Sequence, residues 1–309
     1  MNYEILKSDS DKRWSELTTG SIPWIRISDA MCCGSSLGSD EIIDNLKKYS
    51  AENKIEINIS RVGCHGICYA GTIIDVLFNG NPRIFWGYIN PENAIETIVS
   101  YIQNGEILKD NLLGSYGDEL IKGVPDFTEL PGIKYQKRIA LKNSGNIAYD
   151  DIFQYIANDG FSGLNKALHS MKSDEVINEV KNSGLRGRGG AAFPTGVKWS
   201  FMANSKGKKY ILCNCEEGDP GAFNDKGILE SDPFTLIEGM IIAGYATGST
   251  NGFVFIRHGH EGPILRTEQA IKQAYNNGLL GENILGSGFS FDIEVSLTGD
   301  SYVAGEETA

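Results

Sequence analysis

The 309-residue sequence has no long apolar run, few cysteines and fewer cations than acids. Its most apolar stretch, residues 240–246, is far shorter than the roughly 20 residues of a membrane-spanning helix. We therefore expect no direct membrane insertion. The first residues lack an apolar secretion core and carry acids early, so the expected location is the reducing cytoplasm.

The charge balance excludes broad nucleic-acid surfaces. Lysine and arginine number 28 against 40 aspartates and glutamates, which gives a formal charge of −12. Nucleic acid is bound by clustered cations that displace counterions, so we do not expect it as a partner. A single basic pocket for a phosphate remains compatible with this balance. The composition, 41% hydrophobic and 22% charged, is that of a globular chain, and its length suggests about two domains.

Residues 22–104 predict one small α/β unit in the order β-α-β-β-β-α. The predicted strands span 22–27, 55–60, 72–78 and 83–89, and the predicted helices span 39–50 and 91–104. Glycines and prolines without a sustained period then mark a boundary. We therefore predict a first domain over 20–108, a linker over 109–136 and a second domain over 137–309.

Strands and helices alternate in the second domain. Predicted strands lie at 209–215, 253–257 and 289–297, and predicted helices at 152–157, 164–171, 174–182, 234–246 and 263–276. This alternation favours a mostly parallel sheet.

The densest chemical signal is the glycine-rich segment 183–201. Its five glycines permit positive φ and close approach of the backbone to a ligand; they are Gly184, Gly187, Gly189, Gly190 and Gly196. Arg186, Arg188 and Lys198 add three cations, and backbone N–H groups with cations suit a phosphate. No Gly-Lys-Ser/Thr follows, and the glycine spacing is not that of the dinucleotide fingerprint, so nucleotide hydrolysis is disfavoured. The alternative is a solvated loop.

Two acidic segments follow predicted strands. Residues 213–223 offer amide and carboxylate groups from Asn214, Glu216, Glu217 and Asp219, at a strand end where open α/β sheets bind ligands. Carboxylates accept hydrogen bonds from ribityl or ribose hydroxyls. Residues 302–308 form a similar polar segment after the last strand. The alternative for either acidic pair is a cap at a helix N-terminus.

Three motifs occur in order: Gly187-Arg-Gly-Gly-Ala-Ala-Phe-Pro-Thr-Gly196, Glu217-Gly-Asp-Pro-Gly221 and Gly305-Glu-Glu307. Together they resemble the flavin-binding, NADH-oxidising subunit of respiratory complex I and its relatives in NAD-linked hydrogenases and formate dehydrogenases. The resemblance runs from about residue 136 to the last residue. It implies a Rossmann-like α/β domain that binds FMN and NADH, with iron–sulfur subunits of a redox complex as partners.

The resemblance also implies roles for individual residues. For FMN these are Gly187, Arg188, Gly189 and Lys198 around the phosphate and ring, Asn214, Glu216 and Glu217 at the ribityl chain and ring edge, and Tyr302, Gly305 and Glu306 to complete the pocket. For NADH they are Gly190, Phe193 and Phe201 (the two aromatics sandwiching adenine), with Asp219 and Glu307 on the nicotinamide side. No acid–base catalyst is implied, because the hydride passes directly to the flavin. Ala192, Cys215 and Glu216 depart from the usual glycine, alanine and aspartate.

Gly63-Cys-His-Gly-Ile-Cys68 and Met31-Cys-Cys-Gly-Ser35 resemble the thioredoxin-like 2Fe-2S ferredoxin domain of hydrogenase-type flavin subunits. The resemblance implies Cys33, Cys64 and Cys68 as cluster ligands, with Ser28 where a fourth cysteine is usual. Either Cys32 or Ser28 completes the cluster, or the cluster is lost and the domain serves docking. A zinc site is a weaker alternative because no Cys-x₂-Cys is present, and His65 is expected in a turn rather than as a ligand.

Two further groups invite a redox or metal interpretation. Cys213 and Cys215 share one face of a predicted strand, where a disulfide is strained, so buried thiols are favoured over a redox pair. His258 and His260 follow a strand, and an exposed loop is favoured over a metal site.

The expected fold class is therefore α/β, with a thioredoxin-like ferredoxin domain followed by an incomplete Rossmann-like flavin domain. The sequence stops at Ala309, just after Gly305-Glu-Glu307, whereas the resemblance implies later segments that include a 4Fe-4S domain. We expect a truncated chain without that cluster. The expected function is that of an NADH dehydrogenase subunit, which exchanges hydride between NAD(H) and FMN and passes electrons to iron–sulfur centres. Truncation can abolish this activity. The alternative is a non-catalytic assembly or docking module with degenerate cofactor sites.

Overall fold

A computed structural model of the protein describes residues 2–30, 34–219 and 221–299. By contact the chain forms two compact units. The N-terminal unit is Asp9–Gln154 with Glu230–Asp232, and the C-terminal unit is Met1–Ser8, Tyr155–Leu229 and Pro233–Ala309. Both units contain helices and strands, which confirms the α/β class.

The N-terminal unit is built on a five-stranded mixed sheet of order β2-β1-β3-β4-β5. Helix α1 Tyr3–Thr19 crosses the boundary between the units, between Ser8 and Asp9. The strands are β1 Trp24–Ser28, β2 Asn58–Val62, β3 Ile74–Leu77, β4 Arg83–Trp86 and β5 Leu112–Tyr116, and the helices wholly within this unit are α2 Ser39–Asn53 and α3 Ala94–Asn104. β1 and β2 are parallel, and the other pairs are antiparallel. The element order predicted for residues 22–104 is present. α1 precedes it, and β5 lies within the segment predicted as a linker.

β5 is irregular because Gly114 sits where no side chain fits. Its φ is +151°, and an added Cβ meets the Phe127 nitrogen and the Pro125 oxygen at 2.8 Å. The strand is therefore fixed by close backbone approach rather than by an alternating apolar pattern, which is why its sequence carries no strand signal.

Isoleucines and aromatics fill one side of this sheet. Ile25, Ile27, Ile74 and Trp86 of the strands pack with buried residues of α2 and α3. The Trp86 indole donates to the Leu108 carbonyl at 3.0 Å, so its one polar atom is satisfied.

A buried ion pair joins three strands on the other side of the sheet. Asp75 on β3 is fully buried and accepts from Arg26 of β1 at 2.9 Å and from Arg83 of β4 at 3.0 and 2.8 Å. Burial alone raises the pKa of Asp75, but the guanidiniums of Arg26 and Arg83 outweigh it and hold the pKa below its ordinary value. The carboxylate therefore stays charged and stabilises the strand pairing.

The C-terminal unit contains a parallel sheet of order β6-β7-β8, as its alternating pattern predicts. Its strands are β6 Ile211–Cys215, β7 Asn251–Arg257 and β8 Asp292–Thr298. Its helices are α5 Ser162–Ser170, α6 Ser173–Asn182, α7 Thr195–Asn204, α9 Pro233–Thr247 and α10 Glu261–Asn276, while α4 Ile152–Ala157 and α8 Asp225–Ser231 cross the boundary between the units. The carboxyl ends of all three strands lie at one edge, where such sheets bind ligands.

None of the helices in the described ranges is long and apolar enough to cross a membrane.

We predict that Asp75→Asn lowers the free energy of unfolding by about 3–5 kcal/mol, because it leaves two buried guanidiniums without their counter-charge. The pKa of Asp75 is lower in the folded chain than the unfolded value of about 3.9, so its contribution is complete near pH 6 and disappears as the pH falls below about 4. Urea unfolding at pH 6 and pH 3 measures both effects. Exposed Asp44→Asn is the control, and equal stabilities for the two variants at pH 6 contradict the prediction.

Candidate functional site

The glycine-rich loop, residues 184–194, joins α6 to α7 and is closed by two backbone hydrogen bonds. The Gly187 amide donates to the Phe193 carbonyl at 2.9 Å, and the Thr195 amide donates to the Leu185 carbonyl at 2.9 Å. Gly190 turns the tip with φ +99°, a conformation that favours glycine. The loop therefore has a defined backbone conformation.

The tip of this loop offers unused donors. In the described part of the chain, the backbone amides of residues 188–192 have no hydrogen-bond partner, and these residues are exposed. A Cβ added at Gly189 or Gly190 meets no atom within 4 Å, so the space around the tip is open. Free amides at a tight turn form a site for an anion.

Cations flank the open amides. The Arg186 guanidinium donates to the Ala192 carbonyl at 3.1 Å and braces the loop. Arg188 and Lys198 are exposed, and neither forms an ion pair among the residues that the structure describes. Lys198 lies in the first turn of α7, where the helix dipole is positive. The arrangement suits a phosphate.

Two exposed aromatic rings lie beside the loop. Phe193 is 45% and Phe201 62% exposed, and their ring centroids are 6.4 Å apart at an interplanar angle of 50°. A planar ring stacked between two others needs about 7 Å, twice the van der Waals spacing. The two rings are tilted by 50°, so one exposed ring must turn by about that angle to form a slot with parallel walls for a planar group.

The acidic segment after β6 holds one free acceptor. Asn214 accepts from the Glu216 amide at 3.1 Å, and Glu216 accepts from the Gly218 amide at 2.9 Å through Oε2. Glu216 is only 9% exposed, and its Oε1 atom has no partner among the described residues. An unpaired buried carboxylate oxygen calls for a donor such as a sugar hydroxyl.

Glu217 acts as a helix cap in this structure. With φ +44° it accepts from the Asp225 amide at 2.9 Å, the Lys226 amide at 2.8 Å and the Asn224 amide. These are the first amides of α8, so the helix-cap alternative describes the observed contacts of Glu217. Burial and then the nearby Glu217 charge raise the pKa of Asp225.

The loop and the acidic segment belong to the same unit but do not bond to each other. No hydrogen bond or ion pair connects residues 184–194 with 214–219 where the structure describes the chain. Asp219 is exposed, and Arg257 at the end of β7 donates to the Gly218 carbonyl at 3.3 Å. Tyr302, Gly305, Glu306 and Glu307 lie outside the described residues.

In the N-terminal unit, the structure brings two of the predicted cluster cysteines together. Cys64 Sγ accepts from the Gly66 amide at 3.1 Å. Burial, the nearby Cys64 and a hydrogen bond to it raise the pKa of Cys68. Ser28 is buried, and its hydroxyl accepts the Ile73 amide at 2.9 Å. Cys32 and Cys33 lie outside the described residues, within which no three metal-ligating side chains come together.

Two residues that no sequence motif marks support the cysteine loop, residues 63–68. The Ser144 hydroxyl donates to the Cys64 carbonyl at 2.6 Å, and Arg138 donates to the His65 carbonyl. The His65 ring is 4% exposed and meets Phe85 and Phe127 edge-on at 5.7 and 5.9 Å. Burial lowers the pKa of His65 to about 3, so the ring is neutral. His258, in contrast, is exposed in the loop after β7.

We predict that Glu217→Ala lowers the free energy of unfolding of the ligand-free chain by about 0.5–2 kcal/mol, the usual cost of losing a helix cap. Thermal or urea unfolding measures this effect. Asp219→Asn changes an exposed acid two residues away and serves as the matched control. An unchanged stability in Glu217→Ala rules out the cap.

Comparison with known proteins shows what the chain is similar to. Residues 180–309 match the family model described as the Nuo51 FMN-binding domain. The NADP-reducing hydrogenase subunit HndC of Solidesulfovibrio fructosivorans is 51% identical over 177 residues, which cover 57% of this chain and 36% of that protein. An NADH-quinone oxidoreductase subunit of Rhizobium meliloti is 49% identical over 156 residues, which cover 50% of this chain and 37% of that protein.

Among solved structures, an NAD+-reducing [NiFe]-hydrogenase in the H2-reduced state aligns with 99% of this chain and 50% of its own, at 19% identity and a TM-score of 0.43. The chain spans little more than a third of the length of the two curated relatives. Over residues 180–309 it is similar to the FMN-binding domain of the Nuo51 family, which confirms the resemblance predicted from its three motifs.

Proposed function

We propose that this chain is the flavin subunit of an NAD(H)-dependent redox complex in the cytoplasm, and that it binds FMN at the glycine-rich loop. One observation carries the proposal: five open backbone amides, flanked by two unpaired cations, lie within the segment similar to an FMN-binding domain. A loop that is only solvated needs no cations beside its free amides, so the two cations favour an anionic ligand over the solvated-loop alternative.

The residues present fit FMN. The amides at Gly189 and its neighbours, with Arg188 and Lys198, hold the phosphate by charge-assisted hydrogen bonds. The unpaired Oε1 of Glu216 accepts from a ribityl hydroxyl. When bound, FMN supplies the hydride acceptor, and the chain supplies orientation and charge. Gly187, Asn214 and Glu217, together with Tyr302, Gly305 and Glu306, are the other residues that we assign to this pocket.

We assign NADH to the same face of the C-terminal unit. The slot between Phe193 and Phe201 takes adenine, because both rings are exposed and close to stacking distance. Gly190 leaves room at the loop tip, and Asp219 and Glu307 are assigned to the nicotinamide side. No side chain moves a proton in this scheme; the residues place the two planar rings against each other and exclude water.

For the N-terminal unit we propose a thioredoxin-like ferredoxin fold that carries a 2Fe-2S cluster. A parallel β-α-β unit followed by an antiparallel strand pair and a helix supports that fold. Cys64 and Cys68 fit a cluster, because their thiols lie close together and Cys64 Sγ already accepts a backbone amide, as cluster sulfurs do. Cys33 and either Cys32 or Ser28 complete the proposed ligand set, and iron–sulfur subunits are the proposed electron partners.

The flavin site is tested by titrating the purified chain with FMN and following the quenching of flavin fluorescence. We predict that Lys198→Ala and Arg188→Ala each weaken FMN binding by about 10- to 100-fold, because each removes a charged hydrogen bond of about 1.5–3 kcal/mol. Lys206→Ala, also exposed and just beyond α7, is the matched control. Wild-type protein that binds no FMN refutes the flavin site and favours the docking module.

The cluster is tested by anaerobic reconstitution with iron and sulfide, followed by absorption and electron paramagnetic resonance spectra. We predict one 2Fe-2S cluster per chain in the wild type and its loss in Cys64→Ser and Cys68→Ser. Cys213→Ser retains the cluster and serves as the control. Unchanged spectra in Cys64→Ser contradict the assignment of that ligand.

A further inference from the structure

Cys213 and Cys215 form a close pair of thiols that the proposed flavin chemistry does not use. Their Sγ atoms are 3.6 Å apart on β6. Cys215 is 7% exposed and Cys213 is half-buried. β6 is an edge strand in the described sheet, with β7 as its only partner there. A small molecule reaches the pair through Cys213, the less buried of the two thiols.

The strand keeps these thiols from forming a direct bond. A disulfide needs its sulfurs about 2.05 Å apart and its Cα atoms usually within about 6.8 Å. Two residues that are two apart on a strand have Cα atoms nearly 6.6–6.8 Å apart, at the upper end of that range. The regular pairing of Cys213 with Val254 and of Cys215 with Ile256 holds the backbone in this extended form. A disulfide, which must bring the sulfurs from 3.6 Å to about 2.05 Å, therefore requires the side chains to turn or the strand to deform.

A larger atom placed between the sulfurs requires no such deformation. An atom bonded to both thiolates holds them further apart than a disulfide does; two zinc–sulfur bonds of about 2.3 Å at a tetrahedral angle, for example, separate the sulfurs by about 3.8 Å. The observed 3.6 Å is an ordinary S–H···S hydrogen-bond distance, and it differs little from that separation. No third metal-ligating side chain joins the pair among the described residues. The bridging atom must therefore be one for which two sulfur ligands from the protein are enough.

The surrounding charges select an uncharged reagent. The negative charge of Asp225 raises the pKa of both thiols, and that of Glu217 raises the pKa of Cys215. The hydrogen bond between the two thiols lowers the pKa of Cys213 and raises that of Cys215. Cys213 is also the less buried thiol, so it meets a reagent first, and the negative charges nearby repel anionic reagents. Trivalent arsenic meets these conditions: it is thiophilic, it bonds two thiolates in a pyramid, and its hydroxide is neutral at pH 7.

We propose that Cys213 and Cys215 form a two-thiol site that captures trivalent arsenic, as arsenous acid or as an organic arsenoxide. With an arsenoxide, two S–H bonds break and two As–S bonds form, and the oxygen leaves as water with both protons. Arsenic stays trivalent and nothing is oxidised or reduced. Capture needs only the two thiols and does not rest on the proposed flavin site.

The test treats the reduced chain with phenylarsine oxide in excess 2-mercaptoethanol, which suppresses adducts on single thiols. Remaining thiols are blocked with N-ethylmaleimide, the arsenical is removed with 2,3-dimercaptopropanol, and the released thiols receive a heavy label. Trypsin then yields peptide 210–226, which holds only Cys213 and Cys215, whereas Cys64 and Cys68 fall in peptide 62–83. We expect heavy label on both cysteines of peptide 210–226 at one equivalent of arsenical.

Two variants separate a paired site from single thiols. Cys213→Ser and Cys215→Ser each raise the concentration that half-protects the remaining cysteine by roughly 100-fold, because the second bond is no longer intramolecular. Circular dichroism verifies that each variant is folded, and Cys213→Ala or Cys215→Ala replaces a variant that is not. Peptide 210–226 unlabelled in the wild type at one equivalent, or equal protection in a folded single variant, overturns the proposal.

Discussion

Two backbone hydrogen bonds, from Gly187 to Phe193 and from Thr195 to Leu185, determine what the C-terminal unit can bind. They consume the amides at the base of the glycine-rich loop and leave those at its tip without partners. A buried unpaired donor is costly, but these amides are exposed, so the loop holds them ready at little cost. The cations beside these amides favour a phosphate as their ligand. The adjacent aromatic pair favours a planar ring nearby.

Much of the fold follows from local pattern. Alternating isoleucines and helical apolar faces predicted the order of elements over residues 22–104 and the parallel sheet β6-β7-β8. Four elements escaped prediction, for different reasons. α1 is mostly polar, α7 begins inside a glycine-rich motif that favours loop, β5 depends on backbone contacts at Gly114, and α8 is a short helix whose first amides are capped by Glu217. Each is stabilised by tertiary neighbours rather than by a period in its own sequence.

The sequence likewise predicted only part of the candidate site. The sequence alone indicated that the loop suits a phosphate, because its glycines and cations can be read directly from the residue types. It did not predict that Glu217 caps α8 while Glu216 keeps one oxygen unpaired, since that depends on where the chain turns after β6. Nor did it predict the support of the cysteine loop by Ser144 and Arg138, which are some 70 or more residues away in sequence. Interactions over such separations leave no local pattern to read.

The central claim is that the open amides at residues 188–192 hold the phosphate of FMN. Hydrogen exchange followed by mass spectrometry measures it directly, by comparing the free chain with the chain in FMN and in riboflavin, which lacks the phosphate. We predict slowed exchange in peptides covering residues 186–194 with FMN and much less slowing with riboflavin. Equal exchange of these peptides in the free and FMN-saturated chain contradicts it.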